Sequence, residues 1–114
     1  MTAPIAFNST IADGVTWVRV RDVIFADNRD PLLAELLRLA DTAASRIVLD
    51  LSEVPLCDSS ALSLFVQVHQ LATAAGGGLR LVGLQPMVRQ ILHVTNLDQL
   101  IPVQAAGDAP YGKG

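Results

Sequence analysis

RIVLDLSEVPLCDSSALSLFVQVHQLATAAGGG, residues 46–78, reads as a buried strand, a loop and a long helix. Ile47, Val48, Leu49 and Leu51 form a short apolar run, rich in β-branched side chains and flanked by polar residues, as a central parallel strand requires. Ser52 to Pro55 break the pattern. Asp58, Ser59 and Ser60 carry oxygens that can cap the free N–H groups of a helix start, so the helix is predicted to open there. On a 3.6-residue wheel Ala61, Phe65, Val68 and Ala72 share one direction, and Ser63, Gln67, Gln70 and Ala74 the opposite one. Extending the polar stripe back one turn from Ser63 reaches Ser59, with Ser60 at its margin. Leu62, Leu64, Val66 and Leu71 exceed the apolarity that the flanks of a surface helix need. Two readings are open: a face that meets another protein, or a helix packed on both sides within its own domain.

Outward from this stretch, Ile5 to Ala12 alternates weakly and ends at Asp13-Gly14, a hairpin-turn signal, after which Val15 to Val20 returns as a second strand. In that strand Thr16, Val18 and Val20 share one face and Val15, Trp17 and Arg19 the other, with Trp17 expected to pack. Arg21 to Asn28 is mixed. Asp30-Pro31 reads as an N-cap and first helical residue, opening a helix to about Ala44 with Leu32, Leu33, Leu36, Leu37 and Ala40 inward. Gly76-Gly77-Gly78 closes the long helix, Leu79, Leu81 and Val82 form a strand, and Pro86 starts a short helix ending near Thr95-Asn96. Leu100 to Val103 is expected to add a last strand, and the small, polar segment from Gln104 to be a disordered tail. The order predicts an α/β fold: a mixed sheet, hairpin first and parallel strands after, covered by helices. At 114 residues, one domain spanning residues 1–114 is expected, with an ordered core over about residues 5–103.

Composition narrows the function. No apolar run approaches the roughly 20 residues of a membrane span. Net charge is −3 and the eight Lys and Arg are scattered, which argues against a nucleic-acid partner. Charged residues are only 17% of the chain, which leaves apolar surface for a protein partner or self-association. The single Cys57 excludes an intrachain disulfide and a cysteine-based zinc site and is expected to be buried; with no basic, apolar start to the chain, the cytoplasm is the expected compartment.

Catalytic patterns are missing. His69 and His93 lack a second ligand at metal-pair spacing, so no metal or cofactor is expected. Ser59 and Ser60 lack a G-x-S-x-G elbow, and Asp50, Glu53 and Asp58 do not form a fixed carboxylate pair. The triple glycine follows a helix rather than preceding one, the reverse of a phosphate loop. What remains is a pair of hydroxyls opening an exposed helix face, either as caps or with one as acceptor of a phosphoryl group, which would bring about two negative charges.

IVLDLSEVPLCDSSALSLF and GGGLRLVGLQPMVRQILHVTNLDQLIPV resemble the STAS domain family, in particular the bacterial anti-sigma factor antagonists. Asp58-Ser59-Ser60-Ala61 stands at the family's D-S-S-G or D-S-T-G motif, with Ala61 at the usual glycine, and Thr95-Asn96-Leu97 at its T-G-L. Arg21-Asp22-Val23-Ile24-Phe25 replaces the familiar G-E-L-D run. The resemblance implies the same α/β fold and a non-enzymatic regulator of transcription. Its Ser59 would be phosphorylated by an anti-sigma factor of the GHKL serine kinase class, with a phosphatase to reverse the modification. On that implication Asp58, Ser59, Ser60, Leu62, Ser63, Val66 and Gln67 form the partner-binding face. STAS subunits also occur beside membrane lipid-transport ATPases, which is the alternative role.

Overall fold

A computed structural model describes residues 5–42 and 45–104. Strands β1 (Phe7–Ala12) and β2 (Val15–Val20) form the predicted hairpin; Asp13 and Gly14 take φ values of 55° and 77°, the positive pair that a tight two-residue turn between twisted strands demands. Helix α1 (Asp30–Ala40), strand β3 (Arg46–Asp50), helix α2 (Ser59–Ala74), strand β4 (Gly78–Val82), helices α3 (Pro86–Val94) and α4 (Leu97–Leu100) and strand β5 (Val103–Gln104) come next in the chain. The sheet order is β1-β2-β3-β4-β5, antiparallel only between β1 and β2.

That order explains where the helices go. Each parallel connection steps to the next strand in the same direction, and right-handed crossovers stepping one way place every helix on one face. Val18, Val20, Ile47, Leu49, Leu79 and Leu81 line that face and join Leu32, Leu36, Ala61, Leu64, Phe65, Val68, Val88 and Leu92 in one core. The opposite face holds a smaller cluster of Val15, Val48 and Val82 with Trp17 packed against it, and no described helix contributes to it. The helical cover expected from the sequence is therefore one-sided. Trp17, directly across from Val48, is a packing residue as expected.

Several boundaries differ from the sequence reading. Asp30 is the first residue of α1 rather than its cap, because Arg29 before it is already in the right-handed helical region. The helix stops at Ala40, not near Ala44, where the Thr42 hydroxyl bonds the Leu39 carbonyl. Leu39 joins the buried face. Leu100 closes a four-residue helix instead of opening a strand, and β5 is only Val103–Gln104. Gln104, the expected start of a disordered tail, thus belongs to the sheet, and the rest of that segment, residues 105–114, lies outside the described residues.

The glycine stop of α2 has a specific form. Gly77 N–H donates to the Ala72 carbonyl and Gly76 N–H to that of Thr73, the paired bonds of a Schellman cap, with Gly76 at φ 94°. Gly77 also runs so close to Ser45 that a Cβ there would overlap the Ser45 backbone carbonyl. The same carbonyl accepts the Gly78 N–H and starts the β3–β4 ladder. The turn thus delivers the chain from helix to central sheet with no room for a side chain.

Candidate functional site

After β3 the chain leaves the sheet through Leu51 and Val54, both fully buried, and the Val54 N–H bonds back to the Leu51 carbonyl. Two apolar anchors therefore hold a loop whose polar residues Ser52 and Glu53 are exposed. Leu56 to Asp58 then run alongside Ile24 as a short parallel bridge: Ile24 N–H donates to the Leu56 carbonyl and Asp58 N–H to that of Ile24. Ile24 is fully buried and Cys57 nearly so. Burial, then the neighbouring Asp58 charge, pushes the Cys57 thiol up to about 11, so it is a packing residue and not a nucleophile.

Asp58 organises the start of α2. One carboxylate oxygen accepts the backbone N–H of Ser60 (3.0 Å) and of Ala61 (3.3 Å), capping α2, and also the Ser60 hydroxyl (2.5 Å). The other accepts the Ala26 N–H at 3.1 Å. Burial alone would push this carboxyl up, but the Ser60 hydroxyl and the Ala26, Ala61 and Ser60 amides reverse it and hold Asp58 below its ordinary range. It is a fixed negative charge at neutral pH, tying the start of the helix to the loop before α1.

That loop is held from within by Asn28. Its side chain accepts the Phe25 N–H and donates to the Val23 carbonyl, each at 2.9 Å, and the residue is 8% exposed. Phe25, Ala26 and Asp27 are thereby set beside Asp58 around a shallow depression. Residues 21–28 show no helix or strand period in the sequence. A signal was present in Asn28, a residue type that bonds neighbouring backbone, but the Ile24–Cys57 bridge joins segments far apart in the chain and has no local signature.

The two serines are not equivalent. Ser60 is half-buried and its hydroxyl is committed to Asp58. Ser59 is exposed, in the first turn of α2, and its hydroxyl has no partner among the described residues. Ser63 and Gln67 continue its stripe on the exposed side, joined by a 3.2 Å hydrogen bond. Leu62 is half-buried and packs against the core, Val66 is half-buried without joining it, and Leu64 is wholly inside. The apolar flanks of α2 are thus largely accounted for by its own domain, since α1 packs alongside.

Neither histidine is free to activate these serines. His69 Nδ1 accepts the Leu79 N–H, which points away from β3 and reaches no β5 partner, and His93 pairs with Asp98 at 3.1 Å. No group of acids, histidines and cysteine able to hold a metal ion occurs among the described residues, and none of their helices is long and apolar enough to cross a membrane. The arrangement offers one accessible hydroxyl at a helix N-terminus, a carboxylate held by four hydrogen bonds beside it and an exposed polar stripe behind it.

The STAS domain family model matches residues 6–108. Among solved structures, a chain from Thermotoga maritima described as a candidate anti-sigma factor antagonist superposes with a TM-score of 0.81 at 24% identity, covering 86% of this chain and 85% of that one. An anti-sigma factor antagonist from Mycobacterium paratuberculosis gives 0.75 at 25% identity over 91% and 90%. The Bacillus cell fate determinant SpoIIAA in its phosphorylated form gives 0.72 at 16% identity over 90% and 93%.

Proposed function

The chain belongs to the STAS domain family, and from that premise we propose that it is an anti-sigma factor antagonist switched by phosphorylation of Ser59. Its partner is an anti-sigma factor that is also a serine kinase. The observation that carries this reading is the division of labour at the start of α2: Asp58 occupies the Ser60 hydroxyl and leaves that of Ser59 exposed and free.

The unmodified protein docks with the Ser59 end of α2 and the stripe of Ser63 and Gln67 against the partner, with Leu62 and Val66 at its margins. In the transfer step the Ser59 oxygen forms a bond to the γ-phosphorus of ATP, the bond to the ADP oxygen breaks, and the hydroxyl proton passes to a base supplied by the kinase. The product carries about two further negative charges next to the Asp58 carboxylate. The helix N-terminus offsets part of that repulsion, so the fold tolerates the modification while a surface shaped for a neutral hydroxyl does not. The phosphorylated form of the Bacillus relative supports a modification of this kind in the fold. A phosphatase would restore docking.

The reading is tested by incubating the protein with its cognate kinase and ATP and mapping the product by mass spectrometry. Phosphate on Ser59, abolished by Ser59→Ala, is the expected outcome. Modification of Ser60 alone, or of no serine, would overturn it.

A further inference from the structure

We propose that two copies of this chain associate through the free edge of β1, forming one continuous sheet across a two-fold axis at Ser9. Among the described residues β1 is the outermost strand, and every residue from Asn8 to Ala12 is exposed. Its hydrogen-bonding parity comes from one contact and one turn. The Arg21 N–H donates to the Ala6 carbonyl, and the two-residue turn closes between Ala12 and Val15, so Ala6, Asn8, Thr10 and Ala12 direct their backbone groups toward β2. Phe7, Ser9 and Ile11 direct theirs outward.

That outward set is self-complementary. An antiparallel copy centred on Ser9 places Ser9 opposite Ser9 of the second copy and Phe7 opposite its Ile11, all as hydrogen-bonded pairs. Three such pairs exchange two bonds each, six in all. The side chains agree with the backbone. Phe7, Ser9 and Ile11 lie opposite Val20, Val18 and Thr16, so all three project to the helix-bearing face, where Ile11 is left 71% exposed. The self-paired register sets that isoleucine beside the half-buried Phe7 of the other copy.

Charge favours the same occupant. FNSTIA contains no ionisable residue, proline or bulge, the usual devices that keep an edge strand from pairing. The nearest acid, Asp13, falls opposite Ile5 of the second copy and not opposite another Asp13, so the net charge of −3 sets no like charges against each other along the seam. The axis stands perpendicular to the sheet, so both sets of helices share a face, and the loops at the carboxyl ends of β2 and β3, which carry the Ser59 site, point in opposite directions. Association therefore leaves both sites open. A single strand edge is well below the standard interface of about 1,600 Å2, so this dimer is reversible and concentration-dependent.

Sedimentation equilibrium of the full chain from micromolar to millimolar concentration reads the association directly. The wild type is expected to move from the chain mass toward twice that mass. Ser9→Pro removes one outward N–H at a position where an edge strand tolerates proline, and Ile11→Lys places a charge in the seam. Both should stay at the chain mass with an unchanged far-UV circular dichroism spectrum. In a mixed-label sample, isotope-filtered NMR should show contacts between the Phe7 ring of one copy and the Ile11 methyls of the other, a readout that does not depend on how the variants fold. A wild type that stays monomeric throughout, a dimer that survives both substitutions, or a dimer lacking Phe7–Ile11 contacts would overturn the proposal.

Discussion

Replacing Asp58 by alanine removes the cap of α2 and the tie between that helix and the loop before α1 in one step. The lost contacts are the Ser60 and Ala61 amides at 3.0 and 3.3 Å, the Ser60 hydroxyl at 2.5 Å and the Ala26 amide at 3.1 Å. Loss of an N-cap costs about 1 kcal/mol. The Ala26 contact lies at an exposed position where water can replace the carboxylate, so it counts as one ordinary net hydrogen bond, also about 1 kcal/mol. The sum, about 2 kcal/mol, lowers the melting midpoint by about 8 °C at roughly 4 °C per kcal/mol for a chain of this length. Asp58→Asn keeps one acceptor oxygen and is itself a good cap, so it should lose only the Ala26 tie, about 1 kcal/mol. Thermal unfolding followed by circular dichroism measures both. The folded carboxyl titrates below its ordinary value, so near pH 4 the native state binds fewer protons than the unfolded chain. The wild-type advantage over Asp58→Asn is therefore full above about pH 4 and shrinks as the pH falls below it. An alanine variant that melts with the wild type, or an advantage that grows on acidification, would show that the Asp58 carboxylate neither caps α2 nor ties it to the loop before α1.

Phe65 is fully buried in the main core, and Phe65→Ala should cost about 3–5 kcal/mol, read as a lower urea midpoint; an unchanged midpoint would contradict its inward placement. Gly77→Ala should destabilise by about 3 kcal/mol, because the added methyl overlaps the Ser45 carbonyl and the backbone there has to shift; a variant as stable as the wild type would show that the turn is open. Burial, then nearby Arg80, hold the His69 imidazole below its ordinary range, and the neutral ring is the form that accepts the Leu79 N–H. Its contribution is thus present above about pH 6.5 and lost as the pH falls, so the wild type should lose urea resistance relative to His69→Gln on acidification through that range, and the opposite slope would exclude the bond.

Strand β3 and the helix from Ser59 were legible because each obeys a local rule: an apolar run bounded by breakers, and a capping carboxylate ahead of a 3.6-residue stripe. The same stripe set Ala61, Phe65, Val68 and Ala72 inside and Ser59 outside, as the structure has them. Leu64 was ambiguous because a buried helix flank and a docking flank have the same composition; only the packing of α1 beside α2 separates them. One-sided covering of the sheet results from strand order, which pattern alone does not carry. The loop of residues 21–28 was opaque for a related reason. Its partners, Cys57 and Asp58, lie more than thirty residues away, and its internal brace is a single asparagine. Four-residue α4 is too short to display a period at all.

Under the proposed switch, charge on Ser59 controls docking without disturbing the fold, and calorimetric titration of the cognate anti-sigma factor with the unmodified protein and with its Ser59 phospho-form measures this directly. Two additional charges set against a surface that receives a neutral hydroxyl cost several kcal/mol, so the phospho-form should bind at least about a hundredfold more weakly while melting within a few degrees of the unmodified protein. Equal affinities for the two forms, or a loss of binding that merely accompanies unfolding, would contradict it.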